Sequence, residues 1–272
     1  MSSAPLHPSA LHCRDLVRKV NPDRALLAEL APEKARPGIW AIAAFDWEVA
    51  RIPDLVSEPM LGAIRRQWWR EAWAEIESGQ PRHHPVVEAL AAAHQMTPLP
   101  MDVVEAYLEA REAEQDGPPE TGDAMRARAA AIGGSIARLE AAALGQPLGG
   151  AEPIGTAWAM MGELRALPLR LKQGRHGLPA NRVATLENGL EHLDPNALEP
   201  ALVCLIEEIG TTATASLTRR SRGLPALFQG YRHLTLLYGK RLQQSGWNPF
   251  STAINAPTFS RAWSVARVRF GL

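Results

Sequence analysis

The chain has 272 residues, of which 46% are hydrophobic and 21% charged, a normal composition for a globular protein. Its 29 Lys and Arg residues balance 29 Asp and Glu residues, so the formal net charge is zero. Bulk electrostatics therefore does not indicate a nucleic-acid partner. The two cysteines, Cys13 and Cys204, form neither a metal-binding cluster nor a disulfide framework, which favours a cytoplasmic location.

No stretch of the sequence provides the roughly 18 uninterrupted apolar residues that a membrane-spanning helix needs. The first residues also lack the charged and then apolar pattern of a secretory signal. The sequence therefore predicts a soluble protein, for which peripheral contact is the remaining way to associate with a membrane. Residues 1–12 are expected to be flexible.

Signals for β-strands are scarce, because only three Tyr and five Phe occur and few β-branched residues alternate with polar ones. Ala, Leu, Glu and Arg dominate, with apolar residues three and four positions apart, which is typical of helices. The predicted helices, in chain order, are a short one after Pro22, one ending near Ile52, one over 57–78, and then 84–95, 100–115, 123–145, 153–173, 194–222, 224–245 and 258–269.

The helix that follows Pro53 has the clearest predicted boundaries. Ser57 is the expected N-cap, and Gly79 is expected just beyond the C-terminus, where glycine adopts a left-handed conformation. The apolar residues that recur along this helix are predicted to face the core, namely Leu61, Ile64, Trp68, Ala72 and Ile76. For the three tryptophans of this helix, core packing is favoured over a surface that binds a partner or a membrane.

The stretch AAFDWEVARIPDLVSEP brings three carboxylates close together in sequence. A magnesium–diphosphate site needs carboxylates that converge on the same ions, which on a helix means spacings of three or four residues. Asp46, Ala50 and Asp54 share one row, but its central member is a methyl group, and Glu48 lies about 200° from Asp46 around the helix. Arg51 would repel a cation. The residues therefore favour Asp46 and Glu48 as solvated, or paired with arginines of the next helix, over a metal site.

A second segment of chemical interest covers residues 155–179. It begins with small residues, which allow close approach of another helix or an apolar chain, and then becomes basic. Guanidinium groups bind anions directly, so an anion site is one interpretation of this segment. The other interpretation is a solvated basic helix end. The possible anion-binding residues are Arg51, Arg165, Arg170 and Arg175.

These two segments resemble the squalene/phytoene synthase family, the head-to-head trans-prenyltransferases. In that family two Asp-rich helices face each other across a deep apolar cavity and hold Mg²⁺ and diphosphate. Ala44-Phe45 precedes the first family motif here, and Gly174-Arg175 and Leu178-Pro179 follow the second at the family's distances. The resemblance implies an all-α, single-domain helical bundle over residues 1–272, with the isoprenoid-synthase (class I terpenoid synthase-like) fold.

The aspartates of both family motifs are largely replaced in this sequence. The motif positions are Ala50, Arg51 and Asp54 in the first motif and Arg165, Ala166 and Arg170 in the second. One aspartate of five remains, and two of the replacements are arginines, which oppose a metal cation. Because the metal cluster of such synthases binds the diphosphate and triggers its departure, the resemblance implies no catalytic residue, no metal and no cofactor.

A narrower resemblance is to the branch of this family that contains an assembly factor of respiratory complex I (NADH dehydrogenase). The shared residues are Ala44-Phe45, Glu48, Asp54, Val56-Ser57-Glu58, Gly62, Arg65, Gln67, Trp69, Leu164-Arg165-Ala166 and Pro168. That branch implies a catalytically inactive protein that assists assembly of complex I. Its partner would be a complex I subunit or an assembly intermediate, and a lipid or isoprenoid would occupy the residual cavity.

Two alternatives remain open. The first is an active, Mg²⁺-dependent prenyltransferase with a displaced set of acids, such as Asp46, Glu48, Asp54 and Glu163. The second is a lipid- or anion-binding module that uses the arginines named above. The basic, amphipathic tail 261–272 is expected to dock on the body of the protein, with membrane contact as its alternative. The arginines within 216–225 are expected to be solvated.

Overall fold

The structure, a computed structural model, describes residues 6–56, 58–217, 223–254 and 258–270. All regular structure within these ranges is helical, which confirms the predicted all-α class. None of the described helices is long and apolar enough to cross a lipid bilayer. The α-helices in chain order are α1 (Pro8–Val20), α2 (Pro22–Ala28), α3 (Arg36–Ala50), α4 (Ile52–Leu55), α5 (Pro59–Glu77), α6 (Pro85–Met96), α7 (Met101–Ala113), α8 (Gly122–Ala129), α9 (Ser135–Ala143), α10 (Glu152–Lys172), α11 (Ala180–Val183), α12 (Pro200–Ala215), α13 (Ala226–Gln244) and α14 (Thr258–Phe270).

The described residues group into two compact units, each made from two stretches of chain. Unit 1 takes the described residues up to Gln115 together with Ser135–Gly149. Unit 2 takes Asp116–Gly134 together with the described residues from Gly150 onwards. The single domain expected over residues 1–272 stays a prediction.

Unit 1 is organised around α3, whose central sequence GIWAIAAF is small or apolar on every side. Helices α1, α2, α6 and α9 pack against it, and Ile39, Ile42 and Phe45 are each at most 2% exposed. Small side chains allow these helices to approach closely, since a Cβ added to Gly38 would lie 3.1 Å from the Cβ of Ala93 on α6. This core fixes the end of α3, where the first family motif lies.

Unit 2 is organised around α10, the helix that carries the second family motif. Helices α8, α12 and α13 pack against α10, as does the helical turn after α8, and α14 packs against α13. Buried residues of α10 include Gly155, Ala157, Met161 and Leu164. The small residues at its start therefore pack inside this unit, and the C-terminal helix docks on it, as expected from the sequence.

Helix α5 buries a different face from the one predicted. Leu61 and Ile64 are 45% and 58% exposed, although Ala72 and Ile76 are buried as expected. The buried row contains Gly62, Arg66, Trp69 and Trp73 as well. Trp69 and Trp73 approach the ring of Phe45 edge-on, at centroid distances of 5.0 and 5.4 Å. The spacing of apolar residues predicted the wrong face of α5, because the row that faces the core contains an arginine, Arg66.

The guanidinium of Arg66 explains how a charged residue lies in that row. Its Nη2 donates to Oε1 of Gln115 at 2.9 Å, and its Nε lies 3.8 Å from the carboxylate of Glu112. The boundaries of α5 agree better with the prediction, because Gly79 has φ +76 directly after the C-cap residue Ser78. The predicted N-cap, Ser57, lies outside the described residues.

The Ala-rich segment 123–145 is not one regular helix. A π-helical segment, Ala130–Gly134, separates α8 from α9. Gly133 and Gly134 allow this segment to touch α10, because a Cβ on Gly133 would lie 2.6 Å from the Cβ of Ala159 and would also collide with the carbonyl oxygen of Gly155. Gly145 ends the run at φ +64, as predicted.

Two other boundaries differ from the predictions. Helix α1 begins at Pro8, within the segment expected to be flexible, and its Ser9 and Ala10 are buried, whereas residues 1–5 lie outside the described ones. Helix α12 begins at Pro200 rather than 194, because residues 194–197 form a turn in which the Asn196 amide donates to the Asp194 side chain at 2.9 Å. The arginines at 219, 220 and 222 lie outside the described residues.

Candidate functional site

The first family motif lies where α3 ends. Ala50 is the last residue of α3, and Arg51 caps it before the short helix α4 begins at Ile52, with Pro53 in its first turn. This break interrupts the row from Asp46 to Asp54 that a continuous helix would form. Asp54 is exposed on α4, and its amide donates to the carbonyl of Arg51 at 2.9 Å.

Arg51 lies beside an aromatic ring in unit 1. Its guanidinium carbon is 6.0 Å from the ring centroid of Trp47, one turn earlier on α3, which is within range of a cation–π contact. The sequence proposed Arg51 as a possible anion-binding residue, and that role stays a prediction. At a position that the sequence predicts to be a replaced metal ligand, the side chain is therefore a cation over an indole.

Asp46, the first acid of this stretch, is bound within unit 1 by three side chains. Its Oδ2 lies 2.9 Å from Nη1 of Arg24 on α2, and its Oδ1 lies 2.8 Å from Nη2 of Arg111 on α7. The hydroxyl of Tyr107, also on α7, donates to Oδ1 at 2.6 Å. The expected pairing with arginines is confirmed, although they belong to α2 and α7 rather than to the helix that follows.

The electrostatics of this cluster favour a charged carboxylate. Burial by itself raises the pKa of Asp46, but the charges of Arg24 and Arg111 and the hydrogen bond from Tyr107 outweigh burial and lower it. Burial likewise raises the pKa of Tyr107, which stays protonated and donates. Both oxygens of Asp46 are therefore engaged by the protein, which makes Asp46 a structural anchor and a poor metal ligand.

Glu48 faces a different environment, a cavity of about 270 Å³ within unit 1. This volume is slightly below the roughly 300–1,000 Å³ of typical small-molecule pockets. Burial lowers the pKa of His84, which favours a neutral imidazole there despite the opposing charge of Glu48. The cavity is lined by Glu48, Ile52, Leu55, Ile64, Arg65, Trp68, Trp69 and His84.

The second family motif lies on α10 in unit 2, and its arginines contact other side chains of that unit. The guanidinium carbon of Arg165 stacks 3.4 Å from the ring centroid of Tyr238 on α13. At the position predicted for the last family aspartate, Nη2 of Arg170 pairs with Oε1 of Glu163 at 2.9 Å, about two turns earlier on the same helix. Ala166 offers only a half-buried methyl group.

The residues at these motif positions do not fit Mg²⁺. Among the described residues, no three or more His, Cys, Asp and Glu side chains are grouped so that they could hold a metal ion. The displaced acids suggested by the sequence are divided among different environments, since Asp46 binds two arginines, Glu48 lines the cavity and Glu163 pairs with Arg170.

Arg175, the fourth possible anion-binding residue, lies just after α10 and donates to the side-chain oxygen of Gln173 at 2.8 Å. The two contacts that sequence reasoning missed are the Asp46–Tyr107–Arg111 cluster and the stacking of Arg165 on Tyr238. The sequence contained a signal for the Asp46 cluster. Tyr107 and Arg111 are four residues apart on α7, so they lie on one face of it, and Asp46 is an acid in the otherwise apolar helix α3. No comparable signal linked Arg165 to Tyr238, which is 73 positions away.

The chain is similar to known proteins both in sequence and in structure. A family model described as "Squalene/phytoene synthase" matches residues 17–245. Curated relatives include "NADH dehydrogenase (ubiquinone) complex I, assembly factor 6" of Bos taurus, 37% identical over 75 residues, and its Homo sapiens counterpart, 35% identical over 75 residues. Each match covers 28% of this chain and 22% of the relative, so the likeness spans about a fifth of those proteins' length.

Solved structures match over nearly the whole chain. A dehydrosqualene synthase in complex with a ligand has a TM-score of 0.81 at 13% identity, covering 97% of this chain and 96% of that one. Squalene synthase HpnC from Alicyclobacillus acidocaldarius has a TM-score of 0.72 at 16% identity, covering 89% and 95%. At these identities the likeness shows the fold, which is the isoprenoid-synthase fold expected from the sequence.

Proposed function

Because the chain belongs to the squalene/phytoene synthase family, we propose that it is a non-catalytic member that assists assembly of respiratory complex I (NADH dehydrogenase). One observation carries the proposal: at motif positions where the family has aspartates, Arg170 is an ion-paired cation and Arg51 lies over a tryptophan. The curated relatives named as complex I assembly factors support the same conclusion.

The chemistry argues against prenyl transfer. In such a reaction metal ions bind the diphosphate and stabilise the charge on it as it leaves. The first motif retains only Asp54, which is exposed, and another acid of this stretch, Asp46, is ion-paired with both Arg24 and Arg111. A carboxylate that already binds two guanidinium groups has little remaining capacity for a divalent ion.

The proposed partner is a complex I subunit or an assembly intermediate, met at the cytoplasmic side of the inner membrane. A lipid or isoprenoid bound by this fold is a further part of the proposal, with an anionic headgroup as the feature that the arginines of the second motif would recognise. Native mass spectrometry of the purified protein tests this part. A co-purifying lipid is expected, and repeated ligand-free preparations would count against it.

The assembly function is tested by deleting the gene and measuring assembled NADH dehydrogenase on native gels. We expect the amount of assembled complex to fall and to be restored by the wild-type gene. The Asp54→Asn variant should restore it equally well, because the proposal gives the last motif aspartate no catalytic role. Asp102→Asn, a change at another exposed aspartate, is the matched control. An unchanged amount of complex in the deletion strain would overturn the proposal.

The competing function is Mg²⁺-dependent condensation of prenyl diphosphates, which the fold and family make the natural alternative. Purified protein is incubated with farnesyl or geranylgeranyl diphosphate and Mg²⁺, and released diphosphate is measured. We expect no release above the rate without protein. Release that requires Mg²⁺ and disappears in Asp54→Asn would establish the enzyme instead.

A further inference from the structure

The charges of the chain are distributed very unevenly along its length. Residues 209–272 contain nine Lys and Arg and no Asp or Glu, whereas residues 1–208 contain 20 Lys and Arg and all 29 Asp and Glu. The net charge of zero is therefore the sum of a basic C-terminal segment and an acidic remainder. A segment with this charge is attracted to anionic surfaces whatever the charge of the whole chain.

Helix α14 ends this basic segment and has two different sides. It packs against α13, and Val265 is its buried apolar side chain, 7% exposed. On the opposite side Phe259 is 77% exposed and Trp263 is 52% exposed. Their rings stack nearly parallel, with centroids 6.4 Å apart. The packing of α14 on α13 therefore holds an aromatic pair on the surface of unit 2.

Two arginines flank this aromatic pair. At about 100° per residue, Arg267 lies roughly 40° beyond Trp263 on one side, and Arg269 lies roughly 80° beyond Phe259 on the other. Both arginines are exposed, and no acid occurs within the helix. An apolar row bordered by cations on both sides is typical of a helix that lies in the plane of a membrane surface.

We propose that the outward face of α14 is a docking surface for an anionic lipid bilayer. Phe259 and Trp263 enter the headgroup region, and Arg267 and Arg269 bind lipid phosphates beside them. Both the arginines and the aromatic rings are needed. The arginines attract the protein to anionic lipid, but salt screens this attraction, whereas the buried aromatic rings keep the protein attached. Indole and phenyl rings suit the boundary between water and acyl chains.

A nucleic acid is the other anionic surface to consider. A protein binds the phosphates of a nucleic acid through its cationic side chains, and its exposed aromatic side chains contribute when they stack on bases. On α14 the two rings stack on each other along a row parallel to the helix axis, which suits contact with a flat apolar boundary. The observations therefore favour a bilayer, and a nucleic acid becomes an outcome of the test.

The test measures co-sedimentation of the full chain with vesicles of phosphatidylcholine, alone or mixed with phosphatidylglycerol. We expect binding to the mixed vesicles only, weakening as salt is added. Arg267→Gln/Arg269→Gln should weaken binding about fivefold for each arginine, and Phe259→Ser/Trp263→Ser should reduce it at least as much. The matched controls are Met96→Ser, at an apolar residue 63% exposed, and Arg126→Gln, at an exposed arginine. Both controls should bind as wild type.

The four substituted residues of α14 are exposed, so the variants are expected to unfold at the wild-type temperature, and this measurement confirms that they are folded. Equal binding to both kinds of vesicle, or wild-type binding by Phe259→Ser/Trp263→Ser, would overturn the proposal. Salt-sensitive binding to duplex DNA that survives loss of the aromatic pair, without vesicle binding, would identify a nucleic-acid surface instead. The outward face of α14 supplies the peripheral membrane location on which the proposed function rests. Vesicle binding is measured without complex I, so each can fail without the other.

Discussion

Asp46 and Arg111 lie 2.8 Å apart, Oδ1 to Nη2, with side chains only 19% and 11% exposed. The same carboxylate pairs with Arg24 at 2.9 Å, so one acid on α3 joins α2 and α7. One of the three acids considered for a metal site is thus part of the framework of unit 1.

The Asp46→Asn variant should be strongly destabilised. It keeps the shape of the side chain but leaves two largely buried guanidinium groups without their shared carboxylate, for which a loss of about 3–5 kcal/mol is expected. Urea denaturation measures the change in the free energy of unfolding. The exposed Asp54→Asn is the matched control, with an expected change within about 0.5 kcal/mol. Equal urea midpoints for wild type and Asp46→Asn would contradict this role.

The stability of the protein should depend on pH through the same carboxylate. The pKa of Asp46 is lowered on folding: burial opposes the shift, and Arg24, Arg111 and Tyr107 outweigh burial. Its contribution is therefore fully present above the unfolded pKa of about 3.9, and is lost as pH falls through the lower folded pKa. Between about pH 5 and 3 the wild type should lose more stability than Asp46→Asn. Parallel pH dependences in urea would refute this.

Sequence reasoning predicted that Asp46 is solvated or paired with arginines rather than bound to a metal, but it did not identify the partners. The partners Arg24 and Arg111 are 22 and 65 positions away, and the period of a helix carries no information about contacts at that separation. Similarly, Leu61 and Ile64 had the right spacing for a core face, yet Trp69 and Trp73 are buried instead. Spacing identifies a helix better than it identifies which face is buried.

Gly133→Ala should destabilise unit 2. The added Cβ would collide with the backbone of Gly155 and the Cβ of Ala159, so α10 and the π-helical segment must separate. Overpacking of this kind costs about 1–3 kcal/mol. Thermal or urea unfolding measures the loss.

Gly162→Ala is the control for this substitution. Gly162 lies on α10, the helix that Gly133 contacts, and nothing is within 4 Å of a Cβ added to it. Since alanine is the better helix former by about 0.8–1.0 kcal/mol, Gly162→Ala should be neutral or stabilising. If both variants unfold at the wild-type midpoint, the close approach at Gly133 is not a constraint.

The two cysteines should differ sharply in reactivity. Cys13 is fully buried, and burial, helped by the charge of Glu48, raises the pKa of its thiol to about 12. Cys204 is exposed on α12. Because the thiolate is the reactive form, iodoacetamide should label one thiol in the native protein and two in urea, as counted by mass spectrometry. Native Cys204→Ser should take up no label, and rapid labelling of it would show that Cys13 is accessible.

The family motifs were legible in the sequence because they are local. The positions of Ala166 and Arg170 follow from short spacings, and these identified a frame without its acids. The contact that Arg170 makes was not predicted, since its ion pair with Glu163 joins two residues seven positions apart on one helix. The stacking of Arg165 on Tyr238 joins two helices far apart in the chain. The motif positions were predictable from short spacings, and the side-chain contacts made at those positions were not.

Each compact unit contains two separate stretches of chain, and this arrangement sets an order for folding during synthesis. Helix α9 packs on α3, α6 and α7 of unit 1, but the ribosome makes it only after Asp116–Gly134, which belongs to unit 2. A nascent chain ending at Gln115 therefore still lacks one wall of its first core. All residues of unit 1 are available once Gly149 has emerged, whereas Asp116–Gly134 of unit 2 cannot pack until α10 has been made. A shortened gene that stops between these points would yield neither unit complete.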